Sequence, residues 1–151
     1  MLIKSVVAYA HFISAFGIAA TLFFEWYTFS RTPTARDARR LALADRWYGL
    51  FSVVLLIAGF SRVIVFEKGF EFYRAGPFFS VKLGLFLVIG LLSIYPTIRF
   101  IRWRSDIQAG RAPTVSEAHY KMISRILSLE MILLAMLMLS ASLMANGVGA
   151  G

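Results

Sequence analysis

The sequence contains no cysteine and only two histidines, His11 and His119. Without cysteine the chain has no disulfide bond, no thiolate metal site and no covalent c-type haem attachment. Charge is also scarce, because Asp, Glu, Lys and Arg make up 16% of the residues, against about 25% in soluble globular domains. These shortages exclude an ordinary soluble domain and a disulfide-stabilised one.

Acidic residues are few relative to basic ones, 8 against 16, which gives a net charge of +8. A basic balance of this kind is also found in nucleic-acid-binding proteins. Here, however, the basic residues lie in short segments between apolar runs, where they orient membrane helices. We therefore expect a lipid bilayer as the surroundings and no nucleic acid partner.

Apolar residues are abundant, at 59% of the chain with a mean hydropathy of +0.72. They form four runs, at about residues 6–29, 41–65, 78–101 and 122–144, each long enough to cross a bilayer as a helix. The pattern predicts one all-α domain over residues 1–151, an integral membrane bundle of four transmembrane helices with short connections. Small residues such as Gly17, Gly84 and Ala141 would let helices approach closely or form contacts in a homo-oligomer.

Two segments resemble helix N-terminal capping boxes. The first is Thr34-Ala35-Arg36-Asp37 and the second is Thr114-Val115-Ser116-Glu117. Both precede an apolar run, so the second and fourth helices should begin before the membrane is reached.

Lysine and arginine are unevenly distributed over the connections, with four in the first, two in the second and five in the third. Because basic loops remain on the cytoplasmic side, the first and third connections should be cytoplasmic. The sequence thus predicts a multi-pass protein of the bacterial inner membrane with both termini in the periplasm.

Ionisable residues of both signs lie in the inner half of the spans: Glu25, Asp45, Arg46, Arg125 and Glu130. Because buried charges need partners, the mixture predicts ion pairs between helices. Glu25 would pair with Arg46 or Arg125, and Asp45 with Arg40. Glu130 lies deeper, and either an ion pair or a place in a proton path suits it.

The outer half holds His11, Arg62 and Lys82, with no carboxylate in the spans to neutralise them. Either Glu67 or Glu71 folds back from the second connection, or the cluster receives an anionic group. Such a group could be a cofactor propionate, a lipid headgroup or a substrate carboxylate.

His11 is the candidate metal ligand, because neutral imidazole is the usual axial ligand of haem iron inside a helical bundle. The alternative is a histidine that only hydrogen-bonds a neighbouring helix. His119 lies at the opposite interface, so the two histidines cannot share one iron. A sixth ligand would have to be Lys82, Met144 or Met138, although methionines in a helix also serve to fill gaps in packing.

Several segments resemble an uncharacterised bacterial family of four-helix inner-membrane proteins. They are Leu43-Ala44-Asp45-Arg46-Trp47-Tyr48-Gly49-Leu50, Glu67-Lys68-Gly69 with Phe72-Tyr73, and Lys82-Leu83-Gly84-Leu85, together with His11. More remotely, His11 and the Val81-Lys82-Leu83 step are similar to the HemJ-type protoporphyrinogen oxidases, small helical membrane proteins that bind haem b. That resemblance implies His11 as the haem ligand and Lys82 as a functional partner.

Two functions follow as hypotheses. The first is a haem b-binding membrane oxidoreductase acting on a porphyrin or a quinone, with Lys82, Arg62 and Glu130 as candidate catalytic residues. In it, His11, Lys82, Arg62 and Met144 would hold the cofactor. The second is a small transporter or accessory subunit without a cofactor, which uses the buried carboxylates and the outer cationic cluster.

The distribution of basic residues predicts the result of a topology experiment. A phosphatase fused after Gly151 should be active, because the C-terminus is expected in the periplasm, where this reporter folds. Activity of a cytoplasmic fluorescent reporter at the same position, with an inactive phosphatase, would invert the orientation.

Overall fold

The computed structural model describes residues 1–66, 77–146 and 148. In order, the elements are α1 Leu2–Thr28, α2 Ala35–Ser61, a π-helical turn Arg62–Phe66, α3 Pro77–Arg102, α4 Arg104–Gln108 and α5 Glu117–Ala145. Over these residues the chain is all-α, as the sequence predicts. Glu67 and Glu71, and the motif residues of the second connection, lie outside the described residues.

The described part of the chain contains four helices long and apolar enough to cross a membrane. They are α1, α2 with its π-helical turn, α3 with α4, and α5. Each predicted apolar run falls on one of these helices, and every helix begins before its run, by one residue in the third and by four to six in the others. The fold class is therefore confirmed as an all-α bundle whose helices have transmembrane length and composition.

Side-chain caps begin the second and fourth long helices. Thr34 accepts a hydrogen bond from the Asp37 backbone N–H at 3.1 Å, so α2 starts at Ala35, before its apolar run, as predicted. At α5 the cap is Ser116, which accepts from the His119 N–H at 3.2 Å, and the predicted cap at Thr114 is wrong. Ser116 takes this role because its hydroxyl, placed three residues before His119, reaches the first unsatisfied N–H groups.

The long helices pack as a closed ring in chain order. Backbone contacts join α1 to α2, α2 to α3, α3 to α5 and α5 to α1. In the described residues the backbones of the diagonal pairs stay apart, and side chains such as Tyr48 of α2 and Glu130 of α5 meet across the centre. Each helix thus neighbours the next, which is the arrangement expected of an antiparallel up-and-down bundle. Side chains facing the centre come from all four helices.

One end of the bundle is closed by aromatic side chains. Phe29 lies 6.1 Å from Phe100, 6.4 Å from Trp103 and 5.7 Å from Tyr120, measured between ring centroids. At the same end Arg31 donates a hydrogen bond to the Val115 carbonyl, which joins the first connection to the third. The basic residues of both connections therefore collect here, and we call this the arginine-rich end.

Helices α1 and α2 approach closely at Gly17, which packs against Phe51. A Cβ atom added there would lie 2.6 Å from Cγ of Phe51, a distance that side chains do not tolerate. Glycine is therefore required by the contact between the helices.

Gly17→Ala should lower the free energy of unfolding by about 1–3 kcal/mol, because the Phe51 ring must move out of its packed position. Gly84→Ala is the matched control, since nothing lies within 4 Å of a Cβ at that position. Alanine there should be neutral or stabilise the helix by up to about 1 kcal/mol. Unfolding in detergent micelles measures the stability of both variants. Equal stabilities of Gly17→Ala and Gly84→Ala would contradict the close contact between Gly17 and Phe51.

Candidate functional site

A cavity of about 380 Å³ lies at the end of the bundle opposite the arginine-rich end. All four long helices contribute to its wall, with His11 from α1, Gly59 from α2, Lys82 from α3 and Ala141 from α5. The rest of its lining is mainly aliphatic and aromatic. We call it the His11 cavity, and it brings together two residues that the sequence placed at one depth, His11 and Lys82.

The His11 imidazole packs against the second helix. Its Cε1 and Nδ1 atoms lie 3.5 and 3.6 Å from the position that a Cβ on Gly59 would occupy. The Phe12 ring lies edge-on to it, with centroids 6.0 Å apart. A large side chain at position 59 would therefore displace the His11 imidazole, and glycine leaves space for it.

The two cations of the predicted outer cluster occupy different places. Lys82 lines the cavity, and its Nζ lies 5.9 Å from the Phe79 ring centroid. Arg62 does not line it, but its guanidinium stands over the Phe12 ring at 5.6 Å, and Phe12 is part of the wall. Positive charge is thus present inside the cavity and at its rim.

The two methionines that the sequence suggests as haem ligands differ in their position relative to the His11 cavity. Met138 lines the His11 cavity, whereas Met144 does not. They are six residues apart, which places them about 120° apart around the helix. Of the two, only Met138 is positioned to meet a group bound beside His11.

A second cavity of about 270 Å³, the central cavity, adjoins the first and shares Ala15, Phe86 and Met138 with it. It carries hydroxyl groups that the His11 cavity lacks, those of Tyr48, Ser52, Ser93 and Thr97. The lining therefore becomes more polar toward the middle of the bundle.

A third cavity of about 810 Å³ lies at the arginine-rich end and is lined by Arg39, Asp45, Arg46 and Arg104 among others. We call it the arginine cavity. It shares Gly49 and Thr97 with the central cavity. The three cavities thus follow one another along the bundle axis.

Three carboxyl groups are buried in the bundle, and one of them, Asp45, lines the arginine cavity. Glu25 is 2% exposed, Asp45 7% and Glu130 1%, and each lies within electrostatic range of at least one of the others. Thr97 Oγ1 donates to Asp45 Oδ1 at 2.7 Å, and Tyr48 Oη donates to Glu130 Oε1 at 3.4 Å. Glu25 Oε1 is buried without a hydrogen-bond partner in the described structure.

The predicted ion pairs of Glu25, Asp45 and Glu130 are not formed. Among the described residues, no lysine or arginine nitrogen lies within 4 Å of these carboxyl oxygens. The arginines of the prediction, Arg40, Arg46 and Arg125, are exposed, because a long flexible stem lets a guanidinium reach the interface. Hydroxyl groups take the place of the expected cations at Asp45 and Glu130.

Sequence reasoning did not single out Tyr48 and Thr97, which contact the carboxyl groups. The signal for Tyr48 was its spacing, since it follows Asp45 by three residues and shares a helix face with it. For Thr97 the signal was a polar stripe, because Ser93 lies one turn before it on α3. Neither signal identified the partner carboxyl group, which lies on another helix.

These features define a class, a polytopic four-helix membrane protein with a polar interior at one end and an apolar cavity at the other. Residues 3–149 match the family described as predicted membrane protein, DUF2214. The match covers nearly the whole chain, so the protein belongs to that family. No curated protein and no solved structure matches the chain.

The described residues contain no group of three or more His, Cys, Asp or Glu side chains arranged to hold a metal ion. Although the three buried carboxyl groups interact electrostatically, their arrangement is unlike a metal cage.

The lack of a cation at Glu130 leads to a stability prediction. Glu130→Gln keeps the shape of the side chain and an acceptor for Tyr48, so it should change the free energy of unfolding by less than about 1 kcal/mol. Loss of one member of a buried ion pair would instead cost about 3–5 kcal/mol. Thermal melting in detergent distinguishes these two outcomes, and the exposed Arg125→Gln is the control. A loss of about 3–5 kcal/mol in Glu130→Gln would show that Glu130 does form an ion pair.

Proposed function

We propose that the protein is a membrane redox protein that binds haem b in the His11 cavity. The observation that carries the proposal is the presence of His11 and Lys82 in the wall of one apolar cavity between four helices. Imidazole is a common axial ligand of haem iron, and helical bundles build cofactor sites from side chains on facing helices.

The residues of the cavity fit the group in three ways. Its volume of about 380 Å³ lies within the range of about 300–1,000 Å³ found for ligand sites. Part of its wall is made of Phe12 and Met138, which are 65% and 50% exposed on the outer surface of the bundle. A macrocycle larger than the cavity can therefore extend toward the lipid.

The charges also suit this ligand. Haem b carries two propionates, and Lys82 in the wall with Arg62 at the rim supplies cations for them. His11 would hold the iron, and Gly59 leaves room for its imidazole. When bound, the haem supplies one-electron transfer, while these side chains orient it and set its electrostatic surroundings.

The substrate class proposed is a porphyrin or a quinone, because either is apolar enough to enter the cavity from the bilayer. The charge of the connections supports a place in a bacterial inner membrane, with the His11 cavity in the periplasmic half. Glu130, a candidate catalytic residue by sequence, lies beside the central cavity and away from His11, so we assign it no contact with this ligand.

A second candidate function has its own observation. Three buried carboxyl groups that meet no lysine or arginine within the described residues are unusual in a membrane bundle, where they mark ion or proton pathways. They favour a small transporter or an accessory subunit that works without a cofactor. A colourless purified protein would support this candidate.

The experiment for haem binding is absorption spectroscopy of the purified protein and its variants. Wild type should show a Soret band that sharpens on dithionite reduction. His11→Ala should lose it, because the axial ligand is removed. Lys82→Met should retain part of the haem with a shifted spectrum or potential, whether the amine pairs with a propionate or ligates the iron.

Two further variants act as matched controls on one helix. Met144→Leu should leave the spectrum unchanged, because Met144 lies outside the cavity wall, whereas Met138→Leu should alter it if the thioether meets the iron. Gel filtration confirms that each variant is folded. Full haem and an unchanged spectrum in His11→Ala would remove His11 as the ligand and refute the proposal.

A further inference from the structure

The buried carboxyl groups need something to neutralise them. An ionised carboxylate in the interior of a membrane protein is costly unless a cation pairs with it. In the described residues no basic side chain does so, and the three groups do not form a metal site. Arg46 lies within electrostatic range of Asp45 without forming an ion pair, so the proton is the species left to neutralise Glu25 and Glu130.

Hydroxyl groups connect these acids to the arginine-rich end. Asp45 lines the arginine cavity and accepts a hydrogen bond from Thr97, and Thr97 lines both the arginine cavity and the central cavity. Tyr48 lines the central cavity and donates to Glu130. A hydroxyl group can accept one proton while it releases another, so its own charge is unchanged by the transfer.

The distances along the bundle are short. Asp45 and Tyr48 are three residues apart on α2, which is about 4.5 Å along the helix axis. The central cavity, about 270 Å³ in volume, has room for several water molecules at about 30 Å³ each. Tyr48, Ser52, Ser93 and Thr97 provide polar partners for such waters.

Glu25 adds a second observation, a buried carboxyl oxygen without a hydrogen-bond partner in the described structure. Glu25 comes from α1, and its side chain is 2% exposed. It lies within electrostatic range of both Asp45 and Glu130. Protonation or deprotonation of one of these carboxyl groups would therefore change the electrostatic potential at the other two.

We propose that Asp45, Thr97, Tyr48 and Glu130 form a proton route from the arginine-rich end to the middle of the bundle, where Glu25 and Glu130 store protons. The route ends at Tyr48, which lines the central cavity, and at Glu130, which accepts its hydrogen bond. It does not depend on haem, because none of its residues lines the His11 cavity.

Infrared spectroscopy with hydrogen–deuterium exchange tests the route in reconstituted protein. Wild type should show the carbonyl stretch of a protonated carboxylic acid, part of which is lost in Glu130→Gln. In D₂O that band should shift downward. Thr97→Val and Tyr48→Phe should slow the shift by about ten-fold or more, because each removes one hydroxyl from the route.

Three controls separate this result from a general structural effect. Thr97→Ser restores the hydroxyl and should restore fast exchange. Ser140→Ala removes another buried hydroxyl, one that donates to the Met136 carbonyl, and should leave the rate unchanged. His11→Ala, which tests the haem proposal, should show wild-type bands and exchange, so the two proposals can fail separately.

Three outcomes would overturn the proposal. The first is the absence of any protonated carboxyl band in wild type. The second is a band that keeps its full intensity in Glu130→Gln and is lost completely in Glu25→Gln. The third is wild-type exchange in Thr97→Val or in Tyr48→Phe, since a continuous route requires both hydroxyls.

Discussion

The bilayer interior offers no hydrogen-bond partners, so every polar group in the bundle must be satisfied by the protein itself or neutralised. This constraint explains why the spans are α-helices, whose backbone hydrogen bonds form within each segment. It also explains why polar side chains of the spans meet inside the ring. Thr97 with Asp45 and Tyr48 with Glu130 are such contacts, each formed between two helices.

The same constraint produces a bundle with two different halves. At the arginine-rich end, long basic side chains reach the interface, and carboxyl groups remain behind with hydroxyl partners. At the other end the wall is apolar apart from His11 and Lys82, which suits a bulky amphiphilic ligand. The proposed haem site and the proposed proton route therefore occupy separate halves, joined through the central cavity.

Much of this arrangement could be predicted from the sequence. The lengths of the apolar runs identified the spans, and the residue spacing placed His11 and Lys82 at one depth, since each helical residue advances about 1.5 Å. The ion pairs of Glu25, Asp45 and Glu130 were predicted wrongly. The prediction paired opposite charges that lie at the same depth. It was wrong because the long, flexible side chain of an arginine can carry its guanidinium to water.

The sequence by itself determined the class of protein, its four helices of transmembrane length and the start of α2, because these depend on local pattern and capping. Only the tertiary structure decided which side chains of the other helices each residue contacts. Met138 and Met144 are both in the last span, and the rotation of that helix places Met138 in the cavity wall. Rotation and neighbours depend on contacts such as Gly17 with Phe51, which join residues far apart in the chain and leave no periodic signal in it.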